Sequence, residues 1–129
     1  MPNIAPAPLK LEDCVIKVEA LQEDTAPEHH ARVCGFSEDW VKSVREMMAK
    51  NRIWGWCMVK VTVEHEDYPE ITGSATLCGC SHRSKKDFIN NSGYYEDLVN
   101  DALAETQTVV YDKYHELQNL VDDGILEIT

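Results

Sequence analysis

The chain has 129 residues, 43% of them hydrophobic, and carries 23 acidic against 12 basic side chains, a formal net charge of −11. This length predicts one domain whose core needs neither a disulfide nor a metal for stability. So acidic a protein is a poor ligand for nucleic acid or for an anionic membrane, and its charge favours a basic partner instead.

The cysteines and the ends of the chain indicate where such a protein works. Five cysteines are present, and no two of them form a Cys-x-x-Cys motif. The N-terminus resembles no signal peptide, and no apolar run approaches the roughly 18 residues of a membrane span. We therefore expect reduced thiols and a cytoplasmic protein. Residues 1–12 are predicted to be a flexible tail, and residues 13–129 a single domain.

The first half of that domain predicts one strand and one helix. Apolar and polar residues alternate over residues 14–20, which is typical of a short strand. Residues 22–32 are polar, contain Pro27 and predict a loop. Ser37 is a good N-cap for a helix that we predict over residues 38–50.

The centre of the chain has the pattern of a β-hairpin. Residues 53–64 and 71–80 each alternate between apolar and polar positions, and Pro69 lies in the turn between them. The alternation places every second residue of each strand on a common buried face. The predicted buried residues are Cys57, Val59, Val61, Val63, Ile71, Gly73, Ala75 and Leu77.

A long helix is predicted over residues 94–123, where apolar residues recur at helical spacing and Gly124 follows as a natural terminator. It would be about 45 Å long, whereas a ten-residue strand spans about 33 Å, so its far end should project beyond the sheet. The fold class is therefore α+β: a small antiparallel sheet, with a possible third strand at residues 14–20, packed by the helices at 38–50 and 94–123.

The long helix also holds most of the negative charge. Residues 88–129 contain nine carboxylates and one base, Lys113. Six of the carboxylates recur every four or seven residues, so they fall within a sector of roughly 100° on a helix. We call this set the acidic stripe. It comprises Asp97, Asp101, Glu105, Asp112, Glu116 and Asp123.

Two interpretations of the acidic stripe are open. Carboxylates four residues apart lie about 6 Å apart along a helix, close to the phosphate spacing of one nucleic-acid strand, and could occupy a groove lined by lysines and arginines. The alternative is the solvated face of an acidic protein. Like charges four residues apart cost a few tenths of a kcal/mol each, so the pattern does not serve helix stability.

Cys78, Cys80 and His82 alternate in a manner that suggests zinc ligands. Alternate side chains of a regular strand lie about 6.8 Å apart, too far for one zinc ion. A site would need a bend at Gly79 and a fourth ligand such as His65 or Cys57, and the predicted register places Cys57 on the opposite face. Cys80 with His82 could act in thiol catalysis, but the sequence supplies no orienting partner. We predict no metal, no cofactor, no catalytic residue and no enzyme activity.

Trp54 and Trp56 are predicted on the strand face opposite Val59. They either form an exposed aromatic patch that binds a partner or are covered by the first strand, the N-terminal tail or another subunit. The loop that follows the hairpin carries a basic cluster, which we interpret as solvated or as a contact for another subunit's acidic helix. The basic cluster comprises His82, Arg83, Lys85 and Lys86.

Three segments carry a resemblance over about residues 40–103: Trp54-Gly55-Trp56-Cys57, Gly79-Cys80-Ser81 and Gly93-Tyr94-Tyr95-Glu96-Asp97. They resemble a group of small uncharacterised proteins of tailed phages and prophages. Those motifs carry no assigned chemistry, so no catalytic residue is transferred. The resemblance implies a phage accessory protein that acts in the host cytoplasm.

Three hypotheses follow. In the first, the protein is a non-enzymatic inhibitor of a host defence complex, anti-CRISPR-like or anti-restriction-like. Its acidic stripe mimics nucleic-acid phosphates towards a basic nucleic-acid-binding protein or nucleoprotein, and Trp54 and Trp56 add apolar contacts. In the second, it is a small-molecule binder or enzyme, for example a protein that sequesters a nucleotide between these tryptophans and residues 81–86. In the third, it is a structural or assembly protein whose projecting helix makes a homodimer.

Overall fold

The computed structural model describes residues 6–127, which form three strands and four α-helices after a short 3₁₀ turn at Leu11–Asp13. The strands make one antiparallel sheet in the order β1-β2-β3. This confirms the predicted α+β fold, including its third strand. The elements are β1 (Cys14–Gln22), α1 (Pro27–Cys34), α2 (Glu38–Lys50), β2 (Cys57–His65), β3 (Thr72–Cys80), α3 (Lys85–Asn91) and α4 (Tyr95–Asp122).

The core lies between one face of the sheet and the helices α3 and α4. The four inward residues of β2 are fully buried, as the alternation of the hairpin predicted, because the central strand has a neighbour on each side and helices below it. Phe88 of α3 and Ala102 of α4 are also fully buried against this face. Removal of this apolar surface from water is the main stabilisation of the fold.

Gly73 lets α4 approach the sheet closely. A Cβ atom at Gly73 would lie 2.5 Å from the backbone nitrogen of Thr106, so any larger residue must displace the helix. The Thr106 hydroxyl, fully buried, lies 3.0 Å from the carbonyl oxygen of Val63 and 2.7 Å from that of Ala102. The hydroxyl therefore joins the helix to the central strand where Gly73 leaves room.

A β-bulge at Gly79 changes the register near the end of β3. Val59 pairs with Leu77, yet Cys57 pairs with Cys80, so two residues of β3 oppose one residue of β2. Gly79 takes φ +68°, a left-handed conformation that glycine adopts without strain. The prediction that Cys78 and Cys80 point the same way is therefore wrong: Cys78 is exposed, whereas Cys80 is buried with Cys57.

The segment predicted as a loop over residues 22–32 instead contains most of α1. Pro27 occupies the first turn of this helix, where its missing N–H has no acceptor to lose, and Gly35 ends the helix at φ +75°. α2 begins and ends as predicted, and its N-cap Ser37 accepts a hydrogen bond from the Trp40 N–H. It packs mainly on α1, and not on the sheet as predicted. Because α1 has only eight residues, its apolar positions repeat too few times for the sequence to predict a helix here.

The strand β2 begins at Cys57, four residues later than predicted. Residues 51–56 form turns, in which Ile53 has φ +60°, a rare conformation for a β-branched residue. Gly55 lies against the backbone of Met47 and Met48 in α2, where a Cβ atom would be 2.5 Å from the Met47 carbonyl oxygen. The prediction that Trp54 and Trp56 lie on a strand is therefore wrong.

The segment that precedes β1 contacts α4. The Leu9 N–H donates to Oε1 of Gln107 at 2.6 Å. Residues 1–5 of the predicted tail lie outside the described residues. Among the helices of residues 6–127, none is both long and apolar enough to cross a membrane.

Candidate functional site

The helix α4 is continuous over its 28 residues, from Tyr95 to Asp122. It contains neither proline nor glycine, and it ends where Gly124 takes φ +75° and the Ile125 N–H returns to the Leu120 carbonyl oxygen. Its length at about 1.5 Å per residue is about 42 Å, against about 30 Å for each nine-residue strand. The predicted helix, and its extension past the sheet, are therefore present.

The two sides of α4 have different surroundings. Leu98, Val99 and Ala102 point into the core and are buried. The acidic stripe occupies a neighbouring sector of the helix, and every one of its six members is exposed. Its last member, Asp123, is the C-cap residue that follows the helix. The carboxylates predicted to share one side of a helix thus reach solvent together.

No basic side chain within residues 6–127 neutralises the acidic stripe by an ion pair. The ion pairs of this part of the chain join Lys17 to Glu64, Arg45 to Glu28, and His82 to Asp87. At about 100° per residue, Lys113 lies about 60° outside the sector of the stripe. The helix therefore presents an uncompensated row of negative charge, which attracts cationic groups over roughly the Debye length.

Trp56 is not available to a partner, because it is only 8% exposed. Its indole N–H donates to the carbonyl oxygen of Thr25 at 2.8 Å. Its ring makes edge contacts with His30 of α1 and Trp40 of α2, at centroid distances of 5.0 and 6.0 Å. The cover that the described residues show comes from α1, α2 and the Thr25 backbone, so burial of Trp56 does not require another subunit.

Trp54 is half-buried and lies beside the core. Its ring centroid is 6.1 Å from that of Phe88, and its carbonyl oxygen accepts the His82 N–H at 2.7 Å. The exposed aromatic patch considered for Trp54 and Trp56 is therefore not formed. Because Trp56 is buried, it cannot contribute to a binding surface together with the acidic stripe.

A cleft of about 310 Å³ lies at the β3 edge, between α2 and the start of α4. Trp40 and Tyr94 form part of its lining, together with the segment from Leu77 to His82. The bulge at Gly79 places the exposed Cys78 at this cleft. Trp40 and His82, the first residue of the basic cluster, both line this cleft. The sequence had predicted that Trp54 and Trp56 would be the aromatic residues beside the basic cluster.

His82 has a partner that sequence reasoning missed. Its Nδ1 lies 3.7 Å from Oδ2 of Asp87. Asp87 is held in place because it caps α3 with Ser84: the Asp87 N–H donates to the Ser84 hydroxyl, and the Arg83 N–H donates to the Asp87 carboxylate. Partial burial lowers the pKa of His82, and the Asp87 charge opposes this shift. The Ser-x-x-Asp spacing was the signal for this position.

The two inward thiols are poor candidates for chemistry. Burial raises the pKa of Cys57 to about 12 and that of Cys80 to about 11, so both are protonated at neutral pH. A thiol needs to ionise to act as a nucleophile or metal ligand. No group of three His, Cys, Asp or Glu side chains in the described part of the chain could hold a metal ion.

The exposed acidic stripe and the β3 cleft are therefore the two candidate sites on this surface. No family model, curated protein or solved structure matches the chain.

Proposed function

We propose that this protein is a phage accessory protein that inhibits a host defence complex, anti-CRISPR-like or anti-restriction-like, without catalysis. The acidic stripe of α4 occupies the positively charged groove through which that complex binds nucleic acid. The observation that supports this proposal is a continuous, exposed and unneutralised row of carboxylates on one helix.

The geometry of the stripe suits such a groove. Asp97, Asp101 and Glu105 follow one another at intervals of about 6 Å along the helix axis, and Asp112 and Glu116 repeat the interval further on. A groove that binds phosphates presents lysines and arginines along a line, and each can meet a carboxylate instead. Attraction of this kind accelerates association and weakens as salt rises.

Charge reversal within the stripe tests the proposal. The variant Asp101→Lys, Glu105→Lys and Asp112→Lys changes the net charge by +6 at exposed positions, so α4 should remain folded. The assay is plating of a targeted phage on cells that carry a CRISPR or restriction system and express the variant. Wild-type protein should raise plating by several orders of magnitude, and the variant should lose this protection.

The chain offers a matched control. Glu12→Lys, Asp67→Lys and Glu70→Lys make the same change in net charge at exposed acids outside α4. This control should protect the phage like wild-type protein, because the arrangement of charge and not its total is the proposed cause. Full protection by the α4 variant would exclude phosphate mimicry. Equal losses of protection in both variants would mean that net charge, and not the acidic stripe, causes the inhibition.

The β3 cleft supports a second candidate, a nucleotide-binding protein. Trp40 could stack on a base, and Arg83 and the lysines of the basic cluster, all exposed, could contact phosphate. Binding of micromolar nucleotide should then change tryptophan fluorescence in wild-type protein and equally in the charge-reversed α4 variant. Inhibition through α4 predicts no such response.

A further inference from the structure

The two outer strands of the sheet have edges of different kinds. β1 pairs with β2 in an unbroken register over nine residues, from Cys14 opposite His65 to Gln22 opposite Cys57. It contains neither proline, glycine nor a bulge. β3 carries the bulge at Gly79, which interrupts its register. Proteins use bulges, prolines, short strands and charged side chains to prevent pairing at an edge, and of these β1 has only the charges of Lys17 and Glu19.

The outer edge of β1 is complementary to a second copy of itself. If two β1 strands pair antiparallel about Val18, each residue meets the one at an equal distance on the other side of that centre. Lys17 then lies opposite Glu19 of the second copy, and Glu19 opposite its Lys17. Opposite charges at directly paired positions stabilise a sheet, and the twofold symmetry supplies this pair twice.

Three further pairs of this register also match. On the open face of the sheet, Val15, which is 44% exposed, meets Leu21 of the second copy. On the core face, Ile16 meets Ala20 and Val18 meets its own equivalent. Apolar residues thus pair with apolar residues on both faces, and the charged pair lies between them.

The structure leaves apolar surface open beside this edge. A cleft of about 390 Å³ is lined by Leu11, Ile16, Tyr95 and Val99, with Glu96 and Asn100 at its rim. Ile16 belongs to the core face of β1 but remains only half-buried. A strand added at this edge continues the sheet over that cleft, and the core-facing residues of the second copy reduce its exposure.

We propose that the chain forms a homodimer through antiparallel pairing of β1 with β1 of a second copy, in the register centred on Val18. The product is a six-stranded sheet in the order β3-β2-β1-β1-β2-β3. Backbone hydrogen bonds along the edge give the association its strength, and Lys17 with Glu19 fixes the register. The dimer does not depend on the proposed inhibition, because no member of the acidic stripe lines the cleft beside this edge.

A charge swap tests both the surface and the register. Lys17→Glu places glutamates opposite each other at two positions, and Glu19→Lys does the same with lysines. In sedimentation equilibrium of the full chain, each single variant should dimerise at least about tenfold more weakly than wild-type protein, since two favourable pairs become two repulsive ones. The double variant Lys17→Glu, Glu19→Lys restores both pairs and should recover most of the affinity.

Recovery in the double variant separates pairing from misfolding, because a structural defect from either substitution would persist there. Both side chains are exposed, and the Lys17–Glu64 contact at 3.7 Å is a surface ion pair that contributes little to stability. Glu19 lies opposite Lys60 of the same chain, and the double variant keeps the change that Glu19→Lys makes at this position. Leu117→Ser, in the exposed part of α4, is the control and should leave the dimer unchanged. A monomeric wild-type protein, a dimer indifferent to the single changes, or a dimer lost with Leu117→Ser would overturn the proposal.

Discussion

The helix α4 consists of two parts with opposite surroundings. In the docked part, residues 95–106, Leu98 and Ala102 are buried against the sheet. In the projecting part, residues 107–122, the large apolar side chains of Tyr111, Leu117 and Leu120 are exposed. The apolar positions recur at helical spacing through both parts, and only the first has strands beside it.

This difference shows what each part contributes. The docked part stabilises the fold, because its side chains leave water on folding. The projecting part continues the same helix, so the direction of its carboxylates is set by the docked part. The acidic stripe runs along both, from Asp97 to Asp123. Substitutions on the apolar side should therefore affect stability in the docked part and have little effect at the exposed positions of the projecting part, such as Leu117. Val121, which is 6% exposed, is the buried exception in the projecting part.

Truncation of matched leucines should give the largest contrast. Leu98 is 6% exposed and Leu117 is 42% exposed. Leu98→Ala should lower the free energy of unfolding by about 3 kcal/mol, because it removes buried methyl groups and leaves a cavity. Leu117→Ala should change it by less than about 0.5 kcal/mol. Urea denaturation of both variants measures the difference, and equal losses would mean that the projecting part is covered in solution.

Filling the gap between sheet and helix should have a smaller effect. Gly73→Ala places a methyl group 2.5 Å from the Thr106 backbone nitrogen, so α4 must shift, and we expect a loss of about 2 kcal/mol. Gly93→Ala is the control: its Cβ meets no atom within 4 Å, but φ +79° strains alanine by about 1 kcal/mol. Thermal or urea unfolding that ranks Gly93→Ala as the more damaging would contradict the close approach of α4.

The regular elements of this fold were predictable because their signals repeat. The alternation over β2 places Val59, Val61 and Val63 correctly, since a single register serves the whole strand. The bulge at Gly79 was not predictable, because one inserted residue reverses every later side chain and leaves only a glycine as its mark. Because of the bulge at Gly79, Cys80 lies in the core and Cys78 does not.

In the candidate site too, features of repeating elements were predictable and contacts between elements were not. Exposure of the acidic stripe followed from helical geometry, because both the carboxylates and the apolar residues repeat along one element. The position of Trp56 depends on α1, a helix of eight residues whose only strong signals were Pro27 and Gly35. Its indole finds the Thr25 carbonyl oxygen and the Trp40 ring, contacts between elements that no local pattern could reveal. Asp87, which caps α3, lies beside His82, and this contact also lies outside the repeating elements.

The smallest expected contrast concerns two threonines of α4. The Thr106 hydroxyl is buried and reaches the Val63 carbonyl oxygen of the sheet, whereas the exposed Thr108 hydroxyl bonds only to the Ala104 carbonyl oxygen of its own helix, at 3.1 Å. Thr106→Val conserves volume but removes a buried hydroxyl that lies 3.0 Å from the Val63 carbonyl oxygen, which should lower the free energy of unfolding by about 1 kcal/mol. Thr108→Val should have almost no effect, because water replaces the lost contact. Chemical denaturation that finds the two variants equal would show that apolar packing, without the Thr106 hydroxyl, joins helix and sheet.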